Sequence, residues 1–169
     1  MSSYVSFWVK NKDGAFTRLC DFSRSSEIYQ ACYNNGVKGK VVKNEKDPYW
    51  PTTYAEPYTK EKADAVIKTI EEKIKSHKKY IENYNKKIEL IKDMKDTSIE
   101  DRLDYINDYE NSIKEIEEDL DCTETEYNYL NFIEIIRDTI APYKATKEER
   151  DTVIWAGIDC SIEGEKDEE

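Results

Sequence analysis

The sequence predicts an α+β fold. A small head containing a β-hairpin is built from both ends of the chain, with a long antiparallel helical (coiled-coil) hairpin inserted between them. Three observations predict it. Apolar residues recur at steps of three and four over two long stretches, 63–91 and 99–130. Residues that would face each other across those stretches have position numbers that add to a near-constant value. Alternating or β-branched runs occur only towards the two ends.

At the start, "SYVSFWVKNKDGAFTRLCDF" reads as a β-hairpin. Val5, Phe7 and Val9 alternate with Tyr4, Ser6 and Trp8, and Asp13-Gly14 suits the positive φ of a tight turn. A short helix follows. Ser25 or Ser26 caps it, Ile28, Ala31 and Cys32 share one face, and Asn35-Gly36 ends it. "KGKVVKNE" reads as a short strand. Residues 47–59, "DPYWPTTYAEPYT", hold three of the four prolines together with Tyr49, Trp50, Tyr54 and Tyr58. Proline fixes an extended course, so this stretch is expected as a loop linking head and hairpin. Its rings either anchor a partner or complete the head's core.

The hairpin is expected over residues 60–140. Ile91 faces Leu103, Ile88 faces Ile106, Tyr84 faces Tyr109, and the pairing continues to Ala63 against Leu130, every pair of numbers adding to 193 or 194. The link "MKDTS" is short enough to make the helices antiparallel neighbours, and Ser98 with Asp101 resembles a capping box. Charge agrees. Residues 60–95 hold 11 Lys and 7 Asp or Glu, a net of +4; residues 96–140 hold 3 Lys or Arg and 15 Asp or Glu, a net of -12. At 1.5 Å per residue the shared length is roughly 50 Å. His77, the single histidine, falls in the seam and reads as a polar residue tolerated in, or fixing the register of, a thin hairpin.

Beyond the hairpin, Phe132, Ile133, Ile135, Ile136 and Ile140 need another apolar surface, which the chain ends supply. Thr146 and Glu149 form a second capping box, and "DTVIWAGIDCSI" reads as a strand returning to the amino-terminal sheet. The head therefore comprises residues 1–59 and 141–169, closing with an acidic tail over 163–169.

Composition removes several function classes. A net charge of -11 disfavours direct binding to nucleic acid or to an anionic membrane. No apolar run approaches the roughly 20 residues of a membrane span, and "MSSYVSFWVKNKDG" lacks the pattern of a secretory signal, so a cytoplasmic protein is expected. The four cysteines are scattered without a CxxC pair, so no metal site or disulfide framework is expected. Phosphate-binding, nucleophile-elbow and zinc-protease motifs are all missing, and the histidine is far from the head's cysteines. We therefore expect no catalytic residues, no cofactor and no enzyme.

One feature of the second helix points to a partner. Asp101, Asp104, Asp108, Glu115 and Glu118 recur near helical periodicity, away from the seam, and Glu117, Asp119 and Asp121 flank them. A rigid row of carboxylates about 5 Å apart approaches phosphate spacing, so it can occupy a basic channel made for nucleic acid. The alternative is a solvated face that keeps the protein soluble. The partner-binding candidates are these five carboxylates with Tyr49, Trp50 and Tyr54. Off-seam Val66, Tyr80, Leu90, Met94, Tyr105 and Tyr129 offer a second seam, leaving monomer and homodimer, and an assembly role, open.

The words "YVSFWV", "FSRSSEIYQAC" and "IWAGIDC", ordered around an acidic helical hairpin, resemble small proteins of bacteriophages and prophages of low-GC bacteria. Some phage proteins of this size and acidity inhibit host defence. The resemblance thus implies a non-enzymatic, anti-CRISPR-like inhibitor in the bacterial cytoplasm, whose partner is a protein with a basic surface, such as a host nuclease.

Overall fold

In the computed structural model, residues 3–44 and 52–159 are described. Strands β1 (Tyr4–Lys10) and β2 (Phe16–Ser23) form the amino-terminal hairpin, its register shifting between Phe7 and Trp8. Its turn is closed by the Gly14 amide donating to the Asn11 carbonyl at 2.9 Å, with Gly14 at φ +88°. Helix α1 (Glu27–Asn34) is capped by Ser26, whose Oγ accepts from the Tyr29 amide at 3.1 Å. Strands β3 (Lys40–Lys43) and β4 (Thr52–Pro57) then pair antiparallel.

Helices α2 (Lys60–Lys92) and α3 (Ile99–Ile140) pack antiparallel against each other, and the short α4 (Lys147–Asp151) leads into β5 (Ile154–Asp159). The expected strand at the far end is β5. It lies centrally in an antiparallel sheet of order β2-β1-β5-β4-β3. The expected loop over 47–59 needs correction, because Thr52–Pro57 is strand β4, flanked by β3 and β5. The acidic tail, Cys160, Tyr49 and Trp50 lie outside the described residues.

The chain divides into two compact units, Met1–Ile70 with Tyr127–Glu169, and Glu71–Glu126. In the first, one sheet face carries Val5, Phe7, Val9, Ile154, Ala156 and Ile158 in register. Ile28 and Cys32 of α1, Tyr58, Val66, Leu130 and Ile133 are buried with them. Tyr58 stacks edge-on against Phe7 at 5.2 Å, so this ring completes the core. The other face gathers Trp8, Phe16, Ala55, Val42 and Trp155. Across that face Asn44 exchanges hydrogen bonds with the Phe16 amide and carbonyl, both at 3.3 Å, tying the end of β3 to the start of β2.

Arg137 of α3 is buried at 1% exposure in this unit. Its Nε donates to Glu134 Oε1 at 2.9 Å, its Nη1 to the Arg150 carbonyl at 2.7 Å, and its Nη2 to the Tyr58 carbonyl. Lys60 Nζ reaches the same Glu134 oxygen at 3.3 Å. One guanidinium thereby joins α3, α4 and the end of β4. The apolar surface expected for the end of α3 covers only part of it. Ile133 is buried, but Phe132, Ile135 and Ile140 are exposed.

In the second unit the heptad seam has the expected register. Ile88 and Ile113 are buried, and the Tyr84 and Tyr109 rings meet at 5.5 Å. His77 is half-buried, and its Nδ1 has no hydrogen-bond partner among the described residues. The start of α3 departs from expectation. Leu103 is 60% exposed, and Arg102 occupies the seam side. Arg102 Nη1 donates to the Met94 carbonyl at 2.8 Å and reaches the Lys92 carbonyl at 3.5 Å, satisfying acceptors that the end of α2 leaves open. Among the described residues, no helix is long and apolar enough to cross a membrane.

Candidate functional site

The acidic surface is set by where α3 begins. Ser98 Oγ accepts from the Asp101 amide at 3.1 Å, and Glu100 and Asp101 occupy the first turn, where carboxylates favour the positive end of the helix dipole. From that start the seam takes Ile106, Tyr109, Ile113, Ile116, Leu120 and Thr123, all buried or half-buried. The opposite side falls to two adjacent columns. Asp101, Asp108 and Glu115 stand one heptad apart, and Asp104 and Glu118 share the next column.

All five carboxylates are exposed, and none has an ion pair or a side-chain hydrogen bond among the described residues. The structure therefore brings together the five acidic candidates on one helix face. From Asp101 to Glu118 the row spans about 26 Å in four steps, a mean of about 6 Å with the widest, about 10 Å, between Asp108 and Glu115, compared with about 3.4 Å per phosphate along one strand of DNA.

Lysines of α2 do not neutralise this face. Lys78 and Lys92 take one seam-flanking column of α2, and Lys73 and Lys87 the other. Lys87 lies over the Tyr84 and Tyr109 rings at 5.4 and 5.6 Å. Lys86 and Lys92 pair with Glu82 and Glu89 of their own helix. The net negative charge of the hairpin is therefore displaced to the outer side of α3.

Of the aromatic candidates, Tyr49 and Trp50 lie outside the described residues, and Tyr54 belongs to the first compact unit. Tyr54 is half-buried in β4, paired with Val41 of β3. Two features went unrecognised in the sequence. One is the buried Arg137 and Glu134 pair, whose spacing of three residues is a signal once both are known to face the core. The other is Glu56. Its Oε1 accepts from the Lys38 and Gly39 amides, both at 2.8 Å, while Oε2 pairs with Lys62. Burial alone would raise the Glu56 carboxyl. The Lys62 ammonium and the two amides outweigh burial and hold it below its ordinary 4.5.

Burial, helped by Asp21, pushes the Cys20 thiol up to about 12, and burial raises Cys32 as well. Among the described residues, no group of three or more His, Cys, Asp or Glu side chains is placed to hold a metal ion. In comparison with known proteins, no family model, curated protein or solved structure matches the chain.

Proposed function

We propose that this is a non-enzymatic acidic binding protein that blocks the basic surface of a nucleic-acid-handling protein. Its natural setting is that of a phage-encoded inhibitor acting on a host defence nuclease, in the manner of an anti-CRISPR protein. The observation that carries the reading is the row of five exposed, unpaired carboxylates on a continuous helix. Their fixed spacing lets them follow a channel lined with lysine and arginine, and the helix supplies that spacing without the ordering cost of a flexible acidic tail. Complementary charge of this kind speeds encounter and makes binding sensitive to salt.

Reversing Asp104, Asp108, Glu115 and Glu118 to Lys tests the reading. The four residues are exposed and off the seam, so the far-UV helix signal is expected to stay while partner binding is lost. Binding that survives the reversal rules the acidic face out as the contact surface.

A further inference from the structure

The sides of the hairpin differ in chemistry, and one of them lacks a partner. Tyr80, Leu90, Met94 and Tyr105 are 46–69% exposed. By heptad position Tyr80, Leu90 and Tyr105 share one side, with Met94 in the link just past α2, and over Glu71–Lys92 that side of α2 contributes Lys73 and Lys87 and no carboxylate. On the same side α3 contributes Asp101, Asp108, Glu115, Asp119 and Glu126 and no base. The apolar groups lie towards the loop end, and the two helices that frame them carry opposite charge.

We propose that this side is the interface of a homodimer, and that its occupant is the same side of a second copy. A two-fold axis parallel to the helices brings the loop ends level and lays α2 of each copy on α3 of the other. Leu90 and Met94 of one copy then meet the region of Tyr105 of its partner, and Lys87 faces the region of Asp108. The opposite arrangement, α2 on α2, sets lysine against lysine and carboxylate against carboxylate, so charge selects the first. The dimer side takes in Asp101, Asp108 and Glu115 of the acidic row, so dimer formation and the blocking function above compete for these three carboxylates.

Sedimentation equilibrium of the full chain is the test. The wild-type weight-average mass is expected to rise with concentration towards twice the 19.9 kDa chain mass. Leu90→Glu with Tyr105→Glu is expected to hold it at the single-chain mass. This variant keeps every carboxylate of the acidic row, so its partner binding reads the blocking function separately.

Lys73→Glu with Lys87→Glu is expected to be monomeric alone, as is Asp108→Lys with Asp119→Lys. An equimolar mixture of the two should recover the dimer, because each contact is again between opposite charges. Pairs within one hairpin cannot be restored by mixing, so recovery reports the interface between copies. A wild-type chain that stays at 19.9 kDa at every concentration overturns the proposal. So does a mixture that stays monomeric while both variants keep the wild-type helix signal. Open-ended assemblies larger than a dimer contradict the two-fold geometry.

Discussion

Arg137 and Glu56 show how single charged residues hold the head together. Arg137 is almost without solvent contact, yet its guanidinium has a carboxylate and two backbone carbonyls as partners. Truncation removes the cation and leaves Glu134 and both carbonyls buried without it. Arg137→Ala is therefore expected to cost about 3–5 kcal/mol in urea unfolding, in the range for breaking a buried ion pair from one side. Glu56 acts through its depressed carboxyl. A folded-state value below the unfolded one contributes stability above the unfolded value and loses it as pH falls through the folded one. Glu56→Gln should be the less stable protein at neutral pH, and the gap should narrow as pH drops below 4.5. Unfolding at several pH values checks this, and a gap that widens on acidification contradicts the assignment.

At the level of elements, legibility followed periodicity. The seam from Ile67 to Ile88 and from Ile106 to Leu130 was readable because a heptad repeat leaves few ways to pair two antiparallel helices. The error at Leu103 has a physical origin. The steps from Leu103 to Ile106 and from Ile106 to Tyr109 are both three, so the repeat slips by one residue at the start of α3. The long stem of Arg102 fills the vacated side and delivers its charge to the end of α2. Ile88→Ala is accordingly expected to cost about 2–5 kcal/mol. Leu103→Ala should stay within about 0.5 kcal/mol of wild type, as at exposed sites generally. Equal losses at the two positions would show that the seam follows the original reading. Strand β4 was missed because its buried residues, Thr53 and Ala55, are small and give a weak apolar signal. Their size answers the close approach of neighbouring strands. A Cβ on Gly157 would stand 2.0 Å from the Tyr54 carbonyl oxygen, and one on Gly39 2.8 Å from the Ala55 nitrogen. The acidic face was readable because exposed carboxylates keep the helical period. The Glu56 clamp was not, because its partners are backbone amides 17 and 18 residues away.

For the molecule as a whole, the distribution of charge matters more than its total. Lys73, Lys78, Lys87 and Lys92 flank the seam and Lys86 and Lys92 pair within α2, while Asp101, Asp104, Asp108, Glu115 and Glu118 of α3 stay unpaired among the described residues. A uniformly acidic surface would favour no one partner, whereas the proposed contact rests on a row fixed on one helix face. The most direct test uses the wild-type chain and the Asp104, Asp108, Glu115 and Glu118 to Lys variant as parallel baits in a low-GC bacterial lysate. Captured proteins are identified by mass spectrometry at low and high salt and after a wash with duplex DNA. The account predicts a nucleic-acid-handling protein held by the wild type alone, released by salt and displaced by DNA. The same proteins on both baits, indifferent to salt and DNA, would contradict it.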